Sequence, residues 1–108
     1  MSKKIHGNSQ ESDKLQHLYE IVDEEEDNTF KYGISGAELN QNGTSPRANV
    51  QVNKLNLIAG IKKFFAKILH KYIEGRSTAL EVEKQYVQYY FKEHGRNPTG
   101  NKRPKGKK

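Results

Sequence analysis

Two short runs near the start of the chain combine apolar, β-branched and aromatic residues. Residues 17–22 (HLYEIV) and residues 29–35 (TFKYGIS) have this β-forming composition, and the polar stretch 23–28 (DEEEDN) joins them. Two such runs across a short polar connection are typical of a β-hairpin. Because contiguous acidic side chains cannot all converge on one ion, we expect residues 23–27 to form a solvated turn rather than a metal cluster.

A helix is predicted after the loop of residues 36–45, which is rich in Gly and Asn. Ser45 suits the N-cap position and Pro46 suits the first helical position. We expect the helix to run through Arg47 to about Ile58 and to end at Gly60.

The run of residues 61–73 fits two patterns. Its apolar positions match one face of a helix, and alternate residues from Phe64 to Tyr72 also match a strand. The run is short, aromatic and bounded by Gly60 and Gly75, and a two-stranded hairpin gains stability from a third strand. We therefore predict a strand from about Phe64 to Tyr72.

The last helix is predicted to begin at Thr78, with Thr78 and Glu81 as a capping box, and to end before Gly95. Glu81 falls on the solvent side, whereas Glu83 falls near the middle of the apolar face. A carboxylate that faces a core is costly unless a cation, a metal or a set of donors compensates it. The sequence therefore marks Glu83 as a candidate functional residue. At about 100° per residue, the apolar face comprises Ala79, Leu80, Val82, Tyr86, Val87, Tyr90 and Phe91.

The predicted order β-β-α-β-α describes an α+β fold, a small domain with a three-stranded antiparallel sheet flanked by helices. The chain has 108 residues, enough for one compact domain. We divide it into a flexible leader (residues 1–14), a folded domain (residues 15–95) and a basic tail (residues 96–108). Hydrophobic residues make up only 32% of the chain, which fits a small core with part of the chain outside it.

The positive charge of the chain is concentrated in the tail. The whole chain carries 19 basic and 13 acidic residues, a net charge of +6. The tail contains six basic residues and no acidic ones, so residues 1–95 are neutral overall. Such a tail is either a solubilising, disordered end or an arm that contacts phosphate groups.

Composition also excludes several classes of protein. The chain has no cysteine, which excludes a disulfide framework, a cysteine-based zinc site and a thiol nucleophile. No apolar run approaches the roughly 20 residues that a membrane span requires. The N-terminus lacks the hydrophobic region of a signal peptide, so we expect any export signal to lie on a larger precursor.

Several short motifs follow one another in a characteristic order. His17-Leu18-Tyr19 is followed, after eleven residues, by Lys31-Tyr32-Gly33. Arg47 then stands at the start of the first helix, Glu83 in the last helix, and Asn101 downstream. With this order and spacing, about residues 16–104 resemble the GIY-YIG nuclease superfamily, and most of all the GIY-YIG-like toxin domains at the C-termini of bacterial polymorphic toxins.

The chain departs from the family pattern at several positions. The first motif glycine is His17, and the first tyrosine of the second motif is Lys31. Tyr32 could supply a phenol one position away, but neighbouring strand residues project from opposite faces, so the two cannot line one site without a bulge. The histidine often found on the first helix has no evident counterpart, and Asn53 or Lys54 could take its place.

The resemblance implies a one-metal hydrolysis of phosphodiester bonds. Glu83 would hold Mg²⁺ or Mn²⁺, with water and phosphate oxygens as the other ligands, and the metal would stabilise the leaving 3′-oxygen. Tyr19 would deprotonate or position the attacking water, supported by Lys31 if burial lowers the pKa of that lysine. Arg47 would clamp the scissile phosphate.

The resemblance also implies substrate contacts near the tail. Asn101 would contact phosphate or order the segment after the last helix, and Lys102 and Arg103 would contact the substrate. One structural alternative stays open for Glu83, which could form a buried ion pair with Arg47 or Arg76.

We therefore expect a metal-dependent endonuclease that hydrolyses DNA in preference to RNA and serves as an interbacterial toxin domain. It would be exported within a larger toxin, act in the cytoplasm of the target cell and be inhibited by a cognate immunity protein. That protein would be acidic and would cover the basic cleft. Two alternatives are a small, basic, non-enzymatic nucleic-acid-binding protein that works through the tail, and a housekeeping structure-specific nuclease.

Overall fold

A computed structural model describes residues 14–101, which form five elements in the order β-β-α-β-α. The three strands make one antiparallel sheet in the order β2-β1-β3. The predicted α+β fold with a three-stranded sheet and two helices is confirmed. The predicted leader, apart from residue 14, and the predicted substrate contacts Lys102 and Arg103 lie outside the described residues. The elements are β1 (Leu15–Asp23), β2 (Asn28–Ser35), α1 (Pro46–Ala59), β3 (Phe64–Glu74) and α2 (Arg76–His94).

β1 is the central strand, and its side chains are buried on both faces of the sheet. Leu18 packs in a cluster with Ala79 of α2. Tyr19 and Ile21 pack in a second cluster with Ala48 of α1. Because successive side chains of a strand point to opposite faces, the sheet lies between the two helices, with α1 on the Tyr19 face and α2 on the Leu18 face.

The acidic connection between β1 and β2 is a turn, as predicted. Asp23 Oδ1 accepts hydrogen bonds from the backbone N–H groups of Glu25 and Glu26 at 3.0 and 3.1 Å. Asp23 Oδ2 also lies 3.1 Å from Lys63 Nζ, so the turn is tied to the segment before β3. The other acidic residues of the turn, at positions 24–27, are exposed to solvent.

α1 begins and ends where its sequence signals predict. Ser45 is the N-cap, and its Oγ accepts a hydrogen bond from Ala48 N at 3.2 Å. Pro46 is the first helical residue, and Gly60 ends the helix in the left-handed conformation. The ambiguous run that follows is a strand, as predicted, because it pairs along β1 from Phe64 to Glu74.

α2 begins at Arg76, two residues before the predicted start. Gly75, with a φ of 88°, is the N-cap, and no side chain caps the helix. The predicted capping box of Thr78 and Glu81 is therefore wrong, because Thr78 already lies inside the helix. The apolar face is shorter than predicted as well, since Phe91 is 52% exposed. Within residues 14–101, neither α2 nor α1 is both long and apolar enough to cross a membrane.

The segment after α2 packs along the free edge of β2. Pro98 is fully buried, and Gly100 N donates a hydrogen bond to Phe30 O at 2.7 Å. The Asn101 carboxamide exchanges two hydrogen bonds of 2.8 Å with the backbone N–H and carbonyl of Tyr32. An edge strand otherwise exposes such groups. Of the two roles predicted for Asn101, ordering this segment is the one that the structure shows.

The paired bonds of Asn101 generate a prediction about stability. Asn101→Ala should lower the free energy of unfolding by about 1–3 kcal/mol, because both Tyr32 backbone groups lose a partner. Thr99→Ala, a change at an exposed position of the same segment, should have no measurable effect. Chemical denaturation followed by circular dichroism measures both variants. Equal unfolding midpoints for the two would contradict a structural role for Asn101.

Candidate functional site

A basic cleft of about 900 Å³ lies between the start of α1, the second half of β2 and the start of α2. Among the residues that the structure describes, no acidic side chain lines it. Low-dielectric walls with charges of one sign concentrate the electrostatic potential, so the cleft suits an anionic group such as a phosphate. The basic side chains that line the cleft are Lys14, Lys31, Arg47 and Arg76.

One carboxamide joins two of the predicted site residues. Gln51 Nε2 of α1 donates a hydrogen bond to Tyr19 Oη at 2.8 Å. Gln51 Oε1 accepts a hydrogen bond from Lys31 Nζ, also at 2.8 Å. The three side chains therefore form a continuous chain that runs from β1 through α1 to β2.

Gln51 was not among the residues predicted from the sequence. Asn53 or Lys54 was expected to fill this place on α1, but neither lines the cleft, whereas Gln51 does. The available signal was the spacing from Arg47, because residues four apart lie on the same face of a helix. Arg47 and Gln51 accordingly line the same cleft.

Tyr19 reaches Gln51 because β2 has a glycine beside it. A Cβ atom on Gly33 would lie 2.4 Å from both Cζ and Oη of Tyr19, so only glycine fits beneath the ring. Tyr19 is 1% exposed and does not line the cleft. Its hydroxyl is therefore connected to the cleft through Gln51 rather than open to it.

Lys31 is half-buried and faces the cleft. Burial lowers the pKa of Lys31, and the charge of Arg47 lowers it further, whereas Glu83 raises it. This direction of shift is the one required of a lysine that supports a general base.

Glu83 is half-buried on α2, as predicted, whereas Glu81 is exposed. Burial raises the pKa of Glu83, and the charges of Lys31 and Arg76 oppose that shift. Within residues 14–101 the carboxylate forms no direct ion pair. The alternative of a buried ion pair with Arg47 or Arg76 is therefore wrong. Glu83 is close enough to the cleft to interact electrostatically with Lys31 and Arg76, but it does not line the cleft.

Tyr32 lies on the opposite face of the sheet from Lys31. Its ring centroid is 5.3 Å from that of Tyr86 on α2, and burial raises the pKa of its phenol. The register of the hairpin shifts between the Ile21–Lys31 and Val22–Thr29 pairs, next to Lys31 but not between Lys31 and Tyr32, so it does not bring these two side chains together. Of the two alternatives for this part of the motif, Lys31 lines the cleft and Tyr32 does not.

His17, which stands where the resemblance predicts a glycine, fixes the start of α1 against β1. The side chain is buried, and its Nε2 lies 2.8 Å from Oγ of the N-cap Ser45. Burial lowers the pKa of His17. This contact holds the first turn of α1, which carries Arg47, beside the sheet.

The charges around Lys31 generate a prediction about its titration. The pKa of Lys31 should lie below its ordinary value of 10.5. Glu83→Gln should lower that pKa further because a negative charge is removed, whereas Arg47→Gln should raise it because a positive charge is removed. NMR titration of the Lys31 side chain measures all three. Shifts of the same sign in both variants would contradict the arrangement of charges.

Comparison with known proteins identifies the family of this domain. A family described as URI fold toxin 2 matches residues 9–95, the range that holds both helices and all three strands. No curated protein and no solved structure shows significant similarity to the chain. The match agrees with the predicted toxin domain and covers every residue discussed above as part of the cleft. The chain belongs to the URI fold toxin 2 family.

Proposed function

We propose that this toxin domain acts by hydrolysing phosphodiester bonds of nucleic acid, DNA in preference to RNA, with a divalent metal ion. The observation that carries the proposal is a half-buried carboxylate, Glu83, beside a cleft lined by cations. Structural ion pairs bring opposite charges into direct contact, whereas Glu83 forms no direct ion pair within residues 14–101. Incompletely compensated charges of both signs are typical of sites that bind and convert a charged substrate.

The basic cleft accounts for substrate binding. Arg47 is exposed at the start of α1, where its guanidinium is free to approach a phosphate group from solvent. A guanidinium binds two phosphate oxygens at once and thereby orients the group. Arg76 stands across the cleft at the start of α2 and provides a second cation for the same phosphate or its neighbour.

Glu83 fits the requirements of a Mg²⁺ or Mn²⁺ ligand that works with the substrate. Mg²⁺ is commonly held by one or two carboxylates, together with water and substrate phosphates. No cluster of three or more His, Cys, Asp or Glu side chains within residues 14–101 could hold the ion alone. Since Lys31 and Arg76 act on Glu83 electrostatically, we expect the ion to bind together with a phosphate that neutralises these cations.

The hydrogen-bonded chain of Lys31, Gln51 and Tyr19 accounts for activation of water. Lys31 lines the cleft, and burial lowers its pKa, which favours the neutral amine; in that form it would accept a proton from a water near the phosphate. Tyr19 is buried behind Gln51 and orients it. A metal bound at Glu83 would stabilise the charge that develops on the leaving oxygen. In this proposal Lys31 meets the water directly and Tyr19 acts as its support.

The wider biological role follows from the family. We propose that the domain is delivered as part of a larger toxin and acts in the cytoplasm of a target cell. A cognate immunity protein would then protect the producing cell. An acidic surface is expected on that protein, because the cleft it would cover carries only basic side chains among the described residues.

Two glutamates on one helix provide a matched test of the site. Glu83→Gln should reduce cleavage of plasmid DNA by roughly a hundredfold or more, because a metal contributes several kcal/mol to the transition state. Glu81→Gln, at an exposed position two residues away, should cleave like the unmodified chain. The assay compares plasmid DNA and transfer RNA, each with Mg²⁺ and with EDTA.

The same assay separates the proposal from its rivals. Equal activity of the two glutamine variants would remove Glu83 from the mechanism. Binding of nucleic acid by the unmodified chain without any cleavage would favour the non-enzymatic binding protein instead.

The titration of Glu83 predicts the acid limb of the pH profile. Metal binding requires the ionised carboxylate, so activity should be lost as the pH falls through the pKa of Glu83. Burial raises that pKa above its ordinary value of 4.5, so the loss should begin at a higher pH than for an exposed glutamate. Initial rates measured across the acidic range test this. Arg76→Gln should move the limb to still higher pH, because Arg76 stabilises the ionised form.

A further inference from the structure

A second cavity of about 640 Å³ adjoins the basic cleft. The two share Lys14, Gly36 and Ala37 in their walls, so they form one continuous groove. We name this second space the flanking cavity. It lies between the start of β1, the loop of residues 36–43 and the C-terminal part of β3. Its volume falls within the range of about 300–1,000 Å³ that small-molecule sites occupy.

Tyr72 enters the flanking cavity from a bulge in β3. Gln16 pairs with Ile73 and Leu18 pairs with His70, so two residues of β3 stand opposite the single residue between them. Tyr72 is one of these two, with a φ of 56° and 72% of its surface exposed. A bulky residue rarely adopts this left-handed conformation. Bulges re-aim side chains and occur often beside functional sites.

Gln16 supplies a polar group in the wall of the same cavity. The side chain is 2% exposed, and its Nε2 donates to Lys14 O at 3.3 Å. Gln16 Oε1 is buried and has no hydrogen-bond partner within residues 14–101. Because a Cβ atom on Gly36 would lie 2.9 Å from Nε2, the loop of residues 36–43 covers the amide closely. A buried acceptor without a donor is unfavourable, and a ligand with an N–H group would satisfy it.

We propose that the flanking cavity binds an unpaired nucleobase adjacent to the phosphate in the basic cleft. The base stacks on the exposed ring of Tyr72, as bases stack on aromatic side chains in single-strand binding sites. An amino group on the base donates to Gln16 Oε1 when the loop of residues 36–43 yields. This inference rests on the proposed function, because it uses the basic cleft as the site of the neighbouring phosphate.

Two consequences define the substrate class. A base that stacks on Tyr72 has left its own duplex, so the substrate is single-stranded or locally unpaired. Adenine and cytosine carry an exocyclic amino group at the ring position where guanine, thymine and uracil present a carbonyl oxygen. An acceptor such as Gln16 Oε1 therefore favours adenine and cytosine.

Fluorescence anisotropy of labelled homopolymers tests the inference with the full chain. EDTA prevents cleavage, and single strands of about 12 nucleotides of dA, dC, dT and rA are compared with a duplex of mixed sequence. The unmodified chain should bind dA and dC more tightly than dT, and single strands more tightly than the duplex. The comparison of rA with dA distinguishes RNA from DNA as the source of the base.

Substitutions at Tyr72 separate stacking from structure. Tyr72→Gly should weaken binding of the dA strand by roughly tenfold, because one stacked ring is lost. The same change should not lower the melting temperature, because glycine adopts the left-handed conformation freely. Tyr72→Phe, which keeps the ring, should bind like the unmodified chain. Tyr89→Ala is a matched control, since Tyr89 is 66% exposed on α2 and lines neither cavity.

A variant of Gln16 tests the polar contact separately. Gln16→Leu, once its fold has been verified by circular dichroism, should reduce the preference for dA over dT. If Tyr72→Gly binds the dA strand as tightly as the unmodified chain, the inference is overturned, whatever the result for Gln16→Leu. If the unmodified chain cleaves nucleic acid, and Tyr72→Gly binds the dA strand as tightly as the unmodified chain, the inference fails and the proposed function stands. If the unmodified chain neither binds nor cleaves nucleic acid, both fail.

Discussion

The contact of the Tyr19 ring with Gly33 fixes the geometry of the candidate site. Tyr19 belongs to the central strand, whose side chains are buried on both faces of the sheet. Any side chain on Gly33 would occupy the space of the ring. With the ring in place, the hydroxyl meets Gln51, and Gln51 in turn holds Lys31 at the cleft. A packing constraint inside the sheet therefore sets the position of a charged group at the surface.

The electrostatics of the site depend on distance as much as on burial. Lys31 and Glu83 influence each other, yet they form no direct ion pair within residues 14–101. Burial therefore dominates both, lowering the pKa of the lysine and raising that of the glutamate. Direct contact would have stabilised both charged forms and closed the space between them. Without direct contact, the opposite charges do not reverse the shifts that burial causes.

The sequence predicts those features that local physical chemistry determines. The hairpin, the start of α1 directly after Ser45 and the half-buried Glu83 all follow from patterns within a few residues. The start of α2 was predicted wrongly, because Gly75 turns the chain directly after β3 and lets the helix begin before Thr78. The spacing from Arg47 places Gln51 on the same face of α1, but the sequence does not reveal its hydrogen bonds to two side chains of the facing strands. Tyr72 was missed as the bulge residue because nothing in its sequence context specifies a left-handed tyrosine.

The residues of the candidate site come from β1, β2, α1 and α2, and β3 completes the sheet. Tyr19 pairs with Gly33 nearby in sequence but also with Ile68, from a strand that follows α1. Contacts between residues far apart in sequence slow folding, because a long loop must close before they can form. The chain of side chains through Gln51 therefore exists only once α1 has docked on the hairpin of β1 and β2. Under the proposed function, an unfolded chain lacks this arrangement, and recovery of activity on refolding reports that α1 has docked on the hairpin.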